Sequence, residues 1–229
     1  MGGLLLAGGA EFQGRMTEPD RQAIALTGKK EVTVCIIPTA AAPDNNHEHA
    51  GNNGVRWFQS LGVKNVQSLP IIDAASANDR QLAESLANAD LIYLLGGFPG
   101  YLEKTMRESA CWAAILDAYH RGAILAGSSA GAMVLCEWFL NPENRQLQPG
   151  LNLLPHMIVI PHHEKTGKQW TETIQNQLPD AAIVGIDEET GIIRKQGSDQ
   201  WNVHGKGSAT VYRKNRKDTY APGLDGFRM

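Results

Sequence analysis

Five apolar runs of strand length, spaced by amphipathic segments, most constrain what this chain can fold into. Leu4 to Ala7 stops at Gly8 and Gly9, Val32 to Ile37 at Pro38, Leu91 to Leu95 at Gly96 and Gly97, and Ala123 to Ala126 at Gly127; Val66 to Ile72 is the fifth. Between them lie helix-like segments at Asp20 to Leu26, Gly54 to Leu61, Asp79 to Asn88 and Ser109 to His120. A strand that is apolar along its whole length has both faces covered, as in parallel sheets whose crossovers are helices. The pattern predicts an α/β fold with a mostly parallel central sheet and helices on both faces.

Beyond Ala126 the pattern loosens. A helix is expected from Ser129 to about Trp138, then a polar loop over NPENRQLQPG, a strand at Met157 to Ile160 and a helix around Lys168 to Gln177. Four short candidates near 182–186, 191–195, 200–204 and 208–213 alternate more and read as antiparallel strands at a sheet edge. Residues from about 217 to 229 lack periodicity and are expected to form an extended tail. No repeat or linker interrupts the sequence, so a single domain over 1–229 is expected.

Composition narrows the function classes. A net charge of -3 offers no broad attraction to nucleic acid or anionic membranes, and neither is expected as a partner. The three cysteines, Cys35, Cys111 and Cys136, form no disulfide framework and no paired metal spacing, which favours a reducing, cytoplasmic setting without a metal or cofactor. The first apolar run is too short for a signal peptide or a membrane span.

Ligands of an open parallel sheet sit beyond the carboxyl ends of its strands. One such place is Gly127-Ser128-Ser129-Ala130-Gly131, which fits Gly-x-Ser-x-Gly. A nucleophile on a sharp strand-to-helix turn needs small neighbours, and the helix that follows offers backbone N–H groups to a reacting carbonyl. Packing or N-capping alone also explains small residues there. A serine needs a base. His162 and His163 begin a strand-end loop after MIVIP, and neighbouring residues point opposite ways, so one of them is the natural candidate. Acids after the serine that could orient it are Glu137, Glu143, Glu164, Asp180 and the cluster Asp187-Glu188-Glu189.

Five blocks, LLLAGGAEF, LIYLLGGFPGYL, AGSSAGAMVL, GLNLLPHMIVIPHH and GIDEETG, come in an order that resembles the serine peptidase family of aspartyl dipeptidase (peptidase E) and cyanophycinase. The resemblance spans about residues 4 to 195 and implies a flavodoxin-like fold similar to class I glutamine amidotransferases. It implies Ser129 as nucleophile, His162 as base and Glu188 as orienting acid, with Glu143 the alternative acid. The Gly-Gly segment resembles the family's oxyanion loop, which implies N–H groups of Gly97 or Phe98, and of Ala130, as oxyanion donors. Pro99, Ser128, His163 and Lys168 are the substrate-contact candidates.

Specificity positions depart from the family. Where cyanophycinase has aspartate and glutamine after its glycines, this chain has Phe98 and Pro99, and Ile160 and Pro161 precede His162. The segment EKTGKQW beyond it carries no arginine. The resemblance therefore implies a serine-type peptidase cleaving a small peptide or related amide, without naming the substrate; a homodimer is the one protein partner expected. Two other readings stay open: an esterase of the α/β-hydrolase type, with Glu137 or Glu143 as the acid, and a catalytically silent binding protein.

Overall fold

Alternate residues along the apolar runs point to opposite sides of the sheet, and both sides are buried, which is why those runs are apolar nearly throughout. The computed structural model describes every residue except Asn215 and Asp225, and at Thr166 and Lys168 the backbone only. The chain runs β1 (Leu4–Ala7), α1 (Thr17–Leu26), β2 (Thr33–Ile37), α2 (His47–Ser60), β3 (Asn65–Ser68), α3 (Arg80–Ala87) and β4 (Leu91–Leu94). Next come α4 (Pro99–Met106), α5 (Ala110–His120), β5 (Ile124–Ser128) and the short α6 (Ala130–Val134). A hairpin of β6 (Trp138–Asn141) and β7 (Gln146–Pro149) precedes β8 (Met157–Ile160), α7 (Lys168–Gln177) and β9 (Ala182–Ile186). The chain ends with β10 (Thr190–Arg194), β11 (Gln200–Gly205), β12 (Ala209–Arg213), β13 (Arg216–Tyr220) and β14 (Phe227–Arg228).

The main sheet has eight strands in the order β14-β11-β10-β1-β5-β4-β2-β3. From β1 to β3 it is parallel, and from β10 outward it is antiparallel, as the stronger alternation predicts. On one face Leu5, Val34, Ile36 and Tyr93 pack with Ala23 of α1 and Phe58 of α2. On the other, Leu4, Leu6, Ile92 and Leu94 pack with Leu86 of α3, Met106 of α4 and Ile115 of α5. Local signals agree at the helix starts. Asp79 accepts hydrogen bonds from the backbone of Gln81 and Leu82, Ser109 accepts one from Trp112, and Pro99 opens α4.

Four expectations are corrected. The helix after Ser129 ends at Val134 rather than near Trp138, and NPENRQLQPG is not all loop, because β7 pairs with β6. MVLCEWFL is apolar at nearly every position, so periodicity cannot separate a continuing helix from a strand, and the hairpin pairing decides it. The strands that lead to His162 and Glu188, β8 and β9, belong to a separate four-stranded sheet, β13-β12-β9-β8, rather than to the sheet that carries Ser129. Residues 217–229 are extended but not a free tail, since β13 pairs with β12 and β14 with β11. Among the described residues no helix is long and apolar enough to cross a membrane.

Candidate active site

Ser129 leaves β5 directly and caps α6 with φ 49 and ψ -112. This is a left-handed backbone that a non-glycine residue adopts only under constraint, and it turns the hydroxyl out at the strand end. The constraint is visible: Ser129 N–H donates to the Ala7 carbonyl at 3.0 Å. The flanking glycines allow the crossing. A Cβ on Gly127 would lie 2.5 Å from the Gly131 oxygen, and one on Gly131 would lie 2.2 Å from the Leu94 oxygen.

His162 Nε2 lies 3.0 Å from Ser129 Oγ, and His162 Nδ1 lies 2.8 Å from Glu188 Oε1. The Lys165 ammonium, bonded to the other Glu188 oxygen, holds that carboxyl below the usual range, and His162 adds to the effect. An ionised carboxylate only accepts, so His162 Nδ1 carries the proton and donates it to Glu188. That leaves Nε2 to accept from the Ser129 hydroxyl. The loop after β1 joins the two sheets beneath this chain of bonds. His162 N–H donates to the Gly8 carbonyl at 2.8 Å and Glu189 N–H to the Gly9 carbonyl at 3.2 Å. Gly9 has φ +114, and a Cβ there would stand 2.2 Å from His162 Cε1, so the imidazole rests on bare backbone.

The two candidate donors of the Gly-Gly loop separate cleanly. Phe98 N–H donates to the Ala40 carbonyl at 2.8 Å and is not available to a substrate, which corrects the expectation that it could serve. Gly97 N–H makes no hydrogen bond among the described residues, and Gly97 is exposed. Ala130 N–H opens α6, where backbone donors have no intrahelical acceptor. Between these segments sits Glu11, whose Oε1 accepts from Gly96 N–H at 3.1 Å and whose Oε2 accepts from Ser128 Oγ at 2.8 Å.

A cavity of about 270 Å³ opens beside Ser129 and His162, and Gly97 and Pro99 form part of its wall. The other substrate-contact candidates lie elsewhere. Ser128 is fully buried and bonded to Glu11. His163 is 2% exposed, its Nε2 lies 2.9 Å from the Tyr212 hydroxyl, and a Cβ on Gly185 would meet its ring. Adjacent residues point oppositely, and the ring of His163 fills the second sheet's side of the loop. The Lys168 side chain lies outside the described residues. Glu143 is exposed in the turn between β6 and β7, and Glu137 Oε2 accepts from His156 N–H at 2.7 Å, while His162 Nδ1 is held by Glu188, so neither takes the position that an α/β-hydrolase order requires. Residue patterns alone missed Glu11 and Lys165. The only signal was an acid two residues beyond Gly8-Gly9 and a lysine three beyond the base.

Comparison with known proteins identifies the family and the fold. Peptidase family S51 matches residues 4–200. The cyanophycinase of Trichormus variabilis (strain ATCC 29413 / PCC 7937) is 28% identical over 220 residues, covering 91% of this chain and 72% of its own. Peptidase E of Escherichia coli O6:K15:H31 (strain 536 / UPEC) is 25% identical over 183 residues, covering 74% of this chain and 72% of its own. Among solved structures, a peptidase from an acI-B1 Actinobacterium superposes with a TM-score of 0.87 at 27% identity, covering 100% of this chain and 97% of that one. A putative peptidase E from Listeria monocytogenes EGD-e has a TM-score of 0.65 at 19% identity, covers 90% of this chain and 99% of that one, and shares the fold. The chain is a serine-type peptidase and belongs to peptidase family S51.

Proposed function

We propose that the protein hydrolyses an amide bond of a small peptide through an acyl-enzyme on Ser129, with His162 as base and Glu188 as the acid that orients it. The observation that carries this reading is the unbroken run of contacts from Ser129 Oγ to His162 Nε2 at 3.0 Å and from His162 Nδ1 to Glu188 Oε1 at 2.8 Å. As Ser129 Oγ bonds to the carbonyl carbon, its proton passes to His162 Nε2 and the carbonyl π electrons move to oxygen. The Gly97 and Ala130 N–H groups meet that negative oxygen. Collapse restores the carbonyl, breaks the C–N bond and sends the His162 proton to the leaving amine. Water, activated by the same histidine, then releases the acid and regenerates Ser129. Glu188 stays ionised throughout and holds the imidazole in the tautomer that accepts from serine.

Screening a dipeptide library against wild type, Ser129→Ala, Glu188→Gln and Glu143→Gln tests the assignment. Turnover is expected to vanish in the first, fall by roughly 10⁴-fold in the second and stay near wild type in the third. Turnover that persists in a folded Ser129→Ala protein overturns it, and a library left uncleaved by wild type favours the silent reading.

A further inference from the structure

The cavity beside the proposed nucleophile is walled by Pro99, Met133, Leu140, Val159, Ile160 and Trp170, and no Asp, Glu, Lys or Arg lines it among the described residues. Met133, Leu140, Val159 and Ile160 are each at most 7% exposed and sit on α6, β6 and β8, so this part of the wall is fixed by the packed core. At about 270 Å³ it lies below the roughly 300–1,000 Å³ of drug-sized sites and suits one side chain rather than a stretch of peptide. Among the described residues, Lys165 pairs with Glu188, and exposed Arg145 places its guanidinium 5.6 Å from the centroid of the Trp170 ring; the Lys168 side chain lies outside the described residues.

The chemistry of the attack says which substituent enters. In the tetrahedral adduct the oxygen faces the Gly97 and Ala130 N–H groups, and the leaving nitrogen faces His162 Nε2. The remaining substituent on that carbon is the acyl residue, and the wall beside Ser129 is built from Gly97, Pro99 and Met133. We infer that this cavity receives the side chain on the acyl side of the scissile bond and selects a medium-sized apolar one, of leucine, methionine or phenylalanine type, over an acidic or basic one. The inference rests on Ser129 being the nucleophile. An apolar side chain gains by leaving water, whereas a carboxylate or ammonium would lose its hydration with no charged partner among the described residues of the wall.

The test is a matched series of α-aminoboronic acids, which add to a nucleophilic serine, carrying leucine, phenylalanine, aspartate and lysine side chains. It is run alongside fluorophosphonate labelling of the same wild-type protein. The leucine or phenylalanine analogue is expected to inhibit about 100-fold more tightly than the aspartate analogue. Trp170→Ala is expected to weaken the phenylalanine analogue by about tenfold and to narrow that gap. Preference for aspartate or lysine, equal affinities, or no boronate binding while Ser129 is still labelled overturns the cavity assignment alone. Absence of both boronate binding and labelling overturns the nucleophile reading and the cavity assignment with it.

Discussion

Ser128 Oγ donates to Glu11 Oε2 at 2.8 Å, while the other oxygen of the same carboxylate accepts from Gly96 N–H at 3.1 Å. One side chain from the loop after β1 thus grips the residue before the proposed nucleophile and the residue before the Gly97 donor. Its effect is to set the spacing of the two N–H groups proposed to face the oxyanion.

Glu11→Ala is expected to lower kcat by about 10- to 100-fold with little change in KM, because misplaced donors matter most when the negative oxygen has formed. Glu11→Gln should fall between, since its amide oxygen can accept from Ser128 but its NH₂ faces another N–H at Gly96. Steady-state kinetics separates the parameters. A rise in KM at constant kcat would show that Glu11 holds substrate instead.

Lys165 is the main reason that the Glu188 carboxyl sits below its ordinary range. Removing the ammonium in Lys165→Met should let Glu188 take up a proton at higher pH, so the acidic limb of the kcat/KM profile moves upward. At neutral pH the loss should be only a few-fold, because the Lys165 ammonium is exposed and its pairing with half-buried Glu188 is screened by solvent. A pH profile superimposable on wild type contradicts a role for Lys165 in holding the acid.

Gly9→Ala should disable the site while leaving most of the core intact. The added methyl would stand 2.2 Å from His162 Cε1 on a backbone at φ +114. Displacing the imidazole from Ser129 is expected to reduce kcat by at least about 100-fold, with a stability loss of roughly 1–3 kcal/mol from the strained φ. Turnover is read beside thermal unfolding, and unchanged kcat would mean that the loop yields without moving the base.

Asp20 gives a stability signature away from the chemistry. It is fully buried, its Oδ2 accepts from Trp57 Nε1–H at 2.8 Å, and burial raises its pKa from 3.8 to about 7. Nearby Glu11 pushes the same way. Between those values the unfolded chain has released the proton and the folded chain has kept it. Stability attributable to this group therefore falls as pH rises from about 4 to 7 and is flat above. Asp20→Asn keeps an acceptor for Trp57 and cannot ionise. It should gain on wild type across that window, by at most about 4 kcal/mol. Denaturant unfolding at pH 4.5 and pH 8 measures the difference, and parallel curves for the two proteins contradict it.

The parts of this site that were legible in the sequence are those written locally. Small residues around Ser129 are what a sharp turn requires, and the order of the five blocks identifies the family before any contact is known. The core was legible for the same reason, since apolar runs at strand length state directly that both sheet faces are covered. What stayed hidden depends on distant pairing. Nothing local says that β8 and β9 leave the main sheet, or that the loops they lead into return to it through bonds from His162 to Gly8 and from Glu189 to Gly9. Without the family resemblance, which implies His162 as the base, the division between His162 and His163 was legible only as opposite directions, and burial against Gly185 and Tyr212 supplied the second direction. Glu11 was missed because 117 residues separate it from Ser128.

Adjacent serines make the central assignment unusually open to one measurement. Intact-mass analysis and peptide mapping after fluorophosphonate treatment should find a single adduct on Ser129, none on Ser128, and none in Ser129→Ala. An adduct on Ser128, an adduct that survives Ser129→Ala, or no adduct in wild type would contradict the account.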